Sequence, residues 1–176
     1  RVGYVWPCFR GDAVDCSPDP VIATHRHDQF EIYCYSDVRN EDATTYRLRA
    51  AADAWRDTCH CTDAQLAELV RADAIDILVD LTGHIHGSRL LAFARKPAPV
   101  QVTYIGYQNT TGMRAMDYRL TDARADPPGV TDRYYTEKLV RLPRAYFCYR
   151  PADDAPPVAP LPALERGVMT FGSFNN

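Results

Sequence analysis

The stretch "AIDILVDLTGHIHG", residues 74–87, decides the fold. Residues 74–81 are almost continuously apolar, the pattern of a strand covered on both faces. Strands of that kind belong to parallel sheets, whose crossovers bring helices to both sides. The chain then turns through "GHIHG" (83–87), two histidines bracketed by glycines that permit a tight turn and close backbone approach to a ligand. Three readings are open for this turn: a metal site, a sugar or phosphate site, or a polar turn.

Working outward, residues 62–73 read as a helix. Thr62 and Gln65 have capping-box spacing, and Leu66, Leu69 and Val70 fall on one face. After the turn, Ser88 is positioned to cap a helix "SRLLAFARK" that must stop before Pro97. "VQVTYIG" (100–106) is the next strand, so strand, helix, strand repeats with right-handed crossovers. Further strands are expected at 1–5, 30–36, 116–122 and 137–143, and a helix at 43–55. Residues 13–24 occupy a helix slot, but Pro18 and Pro20 remove backbone donors there. The fold class is therefore α/β, with a Rossmann-like open parallel sheet over 1–150. A Pro-rich linker follows over 151–167, and 168–176 reads as one more strand, belonging to a second domain.

Composition narrows the function. The 176 residues are 46% hydrophobic and 24% charged, with a net charge of −3 and basic residues spread along the chain. Nothing in this resembles a nucleic-acid stripe or a surface for anionic membranes. No apolar run approaches the roughly 20 residues of a membrane helix, and no signal segment opens the chain. The six cysteines include no CxxC pair, and Cys59 and Cys61, flanking His60, lack a second pair at zinc spacing. Reduced thiols and a cytoplasmic location follow as expectations.

In an open α/β sheet, ligands bind at loops beyond the carboxyl ends of the strands. "GHIHG" and "GYQNTTG" (106–112) are such loops. No GxGxxG and no P-loop lysine motif is present, which argues against ordinary dinucleotide or Walker-type binding. A metal at His84 and His86 would need further ligands, and none has helpful spacing; a polar or ligand-facing turn is favoured. Tyr104 and Tyr107 read as packing residues before sugar-stacking platforms. Arg89 is equally a clamp for an acceptor or phosphate and an exposed first-turn residue.

These words resemble a family. "DILVDLTGH", "FARKPAPVQVTYIGY", "TTG", "MDYRLTD", "ADPPG" and "EKLVRLP", with "RVGYV", "FEIYCYSDV" and the terminal "TFGSFNN", are similar to the catalytic region of the O-GlcNAc transferase family, bacterial type, over the whole chain. The resemblance implies a GT-B architecture of two Rossmann-like lobes. This chain would be the amino-terminal lobe plus the first strand of the carboxyl-terminal one. It implies inverting transfer of N-acetylglucosamine from UDP-GlcNAc to Ser or Thr of an acceptor protein or peptide, with no required metal and no cofactor. It further implies that His84 lies beside the donor sugar and Arg89 near the acceptor path. Ile105 and Gly106, with Tyr107, Thr110 and Thr111 of the following loop, would line the sugar pocket. An aspartate and a histidine proposed for proton handling in the family correspond here to Cys8 and Asp12. Asp15, Cys16, Ser17 and Pro18 also depart from the helix-compatible family pattern. Two functions therefore compete: one lobe of the transferase, inactive as this fragment, or a degenerate lobe that binds protein or sugar without catalysing. A GT-B sugar-nucleotide epimerase is a weaker third, since no motif matches its acidic and histidine positions.

Overall fold

A computed structural model describes residues 1–11, 18–149 and 155–173. Seven strands form one parallel sheet: β1 (Val2–Trp6), β2 (Ile32–Ser36), β3 (Ala54–Asp57), β4 (Ile77–Asp80), β5 (Val100–Thr103), β6 (Tyr118–Asp122) and β7 (Lys138–Leu142). Their order across the sheet is β3-β2-β1-β4-β5-β6-β7. The helices are α1 (Pro18–Ala23), α2 (Ala43–Ala51), α3 (Asp63–Ala72), α4 (Leu90–Phe93) and α5 (Pro162–Arg166). β4 and β5 are parallel neighbours in the register Ile77↔Val100 to Asp80↔Thr103, as the apolar runs predict.

The apolar run at 74–81 serves both faces. Val79 and Leu81 join Tyr4, Trp6, Ile22 and Leu48 on the face covered by α1 and α2. Leu78 joins Val5, Leu66, Val70 and Phe93 on the face covered by α3 and α4. The capping box of α3 forms as read: Thr62 Oγ1 accepts from Gln65 N at 3.3 Å, and Gln65 Oε1 accepts from Thr62 N at 2.8 Å.

Four local readings are corrected. The helix expected over 43–55 ends at Ala51, and 54–57 becomes the edge strand β3. Ala52 turns extended, the Asp53 carboxylate accepts from Ile32 N at 2.7 Å, and Trp55 packs on Phe9 with ring centroids 5.1 Å apart. Tertiary contacts here override the helix propensity of the alanines. α1 begins at Pro18, which puts both prolines in the first turn, where a missing N–H costs nothing. α4 is a single turn starting after Arg89; the Ser88 hydroxyl still reaches Leu90 N, at 3.4 Å. The strand expected at 168–176 does not form over the described residues 168–173, which are exposed and are not a strand of the sheet, and the expected linker contains the short helix α5.

The connection from β1 runs to β2 on one side, whereas that from β4 runs to β5 on the other. The crevice between β1 and β4 is thus the topological switch point, where doubly wound sheets hold their ligands.

Candidate functional site

A cleft of about 650 Å³ lies at that switch point. The β1 loop supplies Pro7, Cys8 and Arg10, the β2 loop Asp37 to Asn40, and the β4 loop His86 to Arg89. Cys59 and Asp63 close it beyond β3.

The β4 loop is built on a carboxylate that the sequence reading passed over as one more strand position. Asp80 is fully buried and accepts from Thr82 N at 3.1 Å, Gly83 N at 2.9 Å and Thr103 Oγ1 at 3.0 Å. Burial pushes its pKa up, against those donors. Gly83 sits at φ +63°, and a Cβ there would lie 2.2 Å from Tyr107 Cβ. Gly87, at φ +79°, lies so close to Pro7 that a Cβ would come within 2.8 Å of its ring. The glycines of the quoted turn therefore let the β4 loop meet the β5 loop on one side and the β1 loop on the other.

The β5 loop begins under strain. Ile105, buried and β-branched, has φ +65°, and Gly106 N donates back to Tyr104 O at 2.9 Å, which makes a tight γ-turn. Such a conformation costs on the order of 1–3 kcal/mol and persists only where its surroundings enforce it. Gly106 is the enforcing contact: an added Cβ would stand 2.0 Å from the Leu81 carbonyl oxygen. Gly106→Ala is expected to cost about 2–3 kcal/mol, since two backbones must separate. Gly112→Ala, at φ +70° but in open space, should cost only about 1 kcal/mol. Paired urea denaturation curves of the two variants check this. Equal losses would remove the steric claim.

The predicted site residues of this loop are placed as follows. His84 is exposed; its Nε2 donates to Thr111 O at 2.7 Å, and its ring stands edge-on to Tyr107 with centroids 5.3 Å apart. A carbonyl partner fixes the proton of the neutral imidazole on Nε2 and leaves Nδ1 an acceptor. Thr110 and Thr111 turn to Glu137: Thr110 Oγ1 donates to Oε2 at 2.7 Å, Thr111 N donates to Oε1 at 2.7 Å, and the Thr111 hydroxyl donates to Oε1 as well. Burial pushes the Glu137 carboxyl up, but these threonine donors outweigh it and hold its pKa below the usual value. The Tyr107 carbonyl accepts from Arg119 Nη1 at 2.6 Å. Asp80, Glu137 and Arg119 are the residues the sequence reading missed; a charged residue inside an apolar strand was their only signal.

Arg89 is placed differently from either expectation. Nε and Nη2 grip Asp37 bidentately at 2.6 and 2.8 Å, Nη1 donates to Cys61 O at 2.9 Å and Asp63 at 3.2 Å, and Nη2 also donates to Thr58 O at 3.0 Å. All five N–H groups thus have protein acceptors, and the hydrogen bond to Asp37 raises the guanidinium pKa further. Arg89 builds the cleft wall rather than standing exposed. Cys8 lines the cleft; Asp12 lies outside the described residues. Cys34, Cys59, Cys61 and Cys148 are free thiols. Among the described residues, no three His, Cys, Asp or Glu side chains are gathered as a cation site.

A doubly wound parallel sheet with a loop-lined cleft at its switch point defines a Rossmann-like class of domain. The description Glycosyl transferase family 41 matches residues 1–153, and the chain belongs to that family. It is 45% identical over 179 residues to a probable UDP-N-acetylglucosamine–peptide N-acetylglucosaminyltransferase, SPINDLY, of Arabidopsis thaliana, covering 99% of this chain and 20% of that protein. A second Arabidopsis relative with the same probable activity, SEC, is 33% identical over 148 residues, covering 84% of this chain and 15% of that one. Among solved structures, a lysine-to-methionine mutant of the Thermobaculum terrenum O-GlcNAc transferase matches with a TM-score of 0.87 and 53% identity, over 91% of this chain and 31% of that one. The chain thus spans about a fifth of the length of the SPINDLY relative.

Proposed function

We propose that this chain is the amino-terminal lobe of a UDP-GlcNAc-dependent protein O-linked N-acetylglucosaminyltransferase of GT-B architecture. On this reading residues 151–167 are the link between lobes and 168 onward opens the carboxyl-terminal lobe. The observation that carries the reading is the paired loops at 82–89 and 105–112, held at the sheet's carboxyl edge by Asp80 and by the close approaches of Gly83, Gly87 and Gly106. The β4 loop gives His86 to Arg89 to the cleft lining, and its His84 stands against Tyr107 of the β5 loop, next to the strained Ile105–Gly106 turn. There His84 Nδ1 offers a sugar hydroxyl an acceptor. Cys8 and Asp12 stand where the family places its proton-handling pair. The reactants would be the sugar nucleotide, bound together with the second lobe, and a Ser/Thr-bearing protein or peptide. The free thiols suit a reducing, cytoplasmic setting, and among the described residues no helix is long and apolar enough to cross a membrane.

The cleft position of Cys8 favours one alternative, a lobe that binds but does not catalyse. A chimera in which this chain replaces the matching region of the unmutated T. terrenum enzyme distinguishes the two. It is expected to transfer GlcNAc from UDP-GlcNAc to a serine peptide. The isolated 176-residue chain is expected to transfer none, because donor and acceptor must be held together in near-attack geometry. A folded chimera that stays inert even with Cys8→Asp and Asp12→His would establish the binding-only reading.

A further inference from the structure

Arg119 is one of the most deeply buried charges in the chain, 2% exposed. Among the described residues it has no salt bridge, and its Nε has no hydrogen-bond partner. A buried guanidinium without a carboxylate is costly unless other dipoles take up the charge. Here they come from two backbone carbonyls of one loop and from the side chain of Tyr135. Arg119 Nη1 donates to Tyr107 O at 2.6 Å and to Asn109 O at 3.2 Å, while the guanidinium carbon stands 5.7 Å from the Tyr135 ring centroid. The two carbonyls belong to the exposed β5 loop, whose far end hangs on Glu137. β6 thus braces the first half of the loop with a cation, and the residue before β7 braces the second half with an anion that is 4% exposed.

The consequence lies on the other side of the peptide. In a trans peptide the C=O and the following N–H point in opposite directions, and the described chain has no cis bond. A Tyr107 carbonyl drawn inward to Arg119 therefore turns the Gln108 N–H to the exposed side. We propose that Arg119 is a positioning residue: it sets the 107–109 peptide planes so that the Gln108 amide is presented to the oxygen atoms of the donor. This rests on the sugar-facing reading of the loop given above.

The test uses Arg119→Met, Arg119→Lys and, as a control for lost stability, Val70→Ala in the buried face of α3. Amide hydrogen exchange is measured on the 176-residue chain, and the KM for UDP-GlcNAc and kcat on the chimera. Arg119→Met should speed exchange at 107–110 beyond the general loosening seen in Val70→Ala. It should raise donor KM about tenfold or more, the loss expected for hydrogen bonds to a charged group, with a smaller change in kcat. Arg119→Lys keeps the charge but not the fork and should recover part of both effects. Exchange and KM in Arg119→Met no different from Val70→Ala would overturn the proposal. If Arg119→Met does not fold, Arg119→Lys decides alone: local loosening at 107–110 supports the role, and uniform change overturns it. A chimera inert without any substitution counts against the functional reading only; the exchange data then still judge the positioning role.

Discussion

Arg89→Ala is expected to lower the stability of the chain by about 3 kcal/mol, a fall in Tm of roughly 6–12 °C for a domain of this size. The argument starts from what is left behind. Asp37 loses both arms of a bidentate ion pair, Asp63 loses its cation, and the carbonyls of Thr58 and Cys61 lose their donors. Removing one partner of a buried pair typically costs about 3–5 kcal/mol, because the other charge stays buried and alone. The lower edge applies here, since the side chains of Arg89 and Asp37 are still 16% and 14% exposed and water can reach them. Arg89→Lys keeps the charge but reaches one acceptor at a time, and should cost about half as much. Denaturant unfolding of the two variants is the measurement. A loss below about 1 kcal/mol in Arg89→Ala, the range of surface ion pairs, would show that the clamp is not structural.

The case of Arg89 also marks where the sequence stops being readable. Its helix start was visible locally, yet its partners lie 26 to 52 residues away on two other loops and the first turn of α3, and no periodicity links them. The sheet was legible because its signal is local: the run at 74–81 is nearly continuous in apolar residues and "VQVT" alternates valines with polar residues, and they become the adjacent strands β4 and β5. β3 was hidden for the opposite reason. Its residues follow a helix-favouring segment, and long-range contacts, among them the Asp53–Ile32 hydrogen bond, the Trp55–Phe9 contact and the ladder with β2, draw the chain to the sheet edge. Within the site, the glycines at 83, 87 and 106 announced tight turns, and each is in fact pressed against a neighbouring loop. Asp80, Arg119 and Glu137 were concealed inside strand-like words. Their charges are spent inward on loop backbone and threonines, so they shape the site without facing it.

The largest change in rate is expected from position 12. In the chimera, Asp12→His should raise kcat by about 10²-fold, within the 10²–10⁴ span of general acid–base assistance. A carboxylate is a legitimate base, but with an unperturbed pKa near 3.9 it holds a proton too weakly to match histidine near neutral pH. Its charge works against the donor as well. A carboxylate facing a diphosphate repels it, so the substitution should also tighten donor binding, and that gain should shrink as salt rises and screens the repulsion. Position 8 enters the same prediction, since Cys8 lines the cleft and the resemblance sets it at an aspartate position of the family. Cys8→Asp alone would add a second negative charge near the donor and should not help; joined to Asp12→His it restores the pair that the resemblance implies. The four chimeras, unsubstituted, each single and the double, are compared for kcat and donor Kd at low and high ionic strength. If Asp12→His changes neither quantity in a folded chimera, position 12 takes no part in the chemistry, and the proton must be handled by groups elsewhere in the cleft.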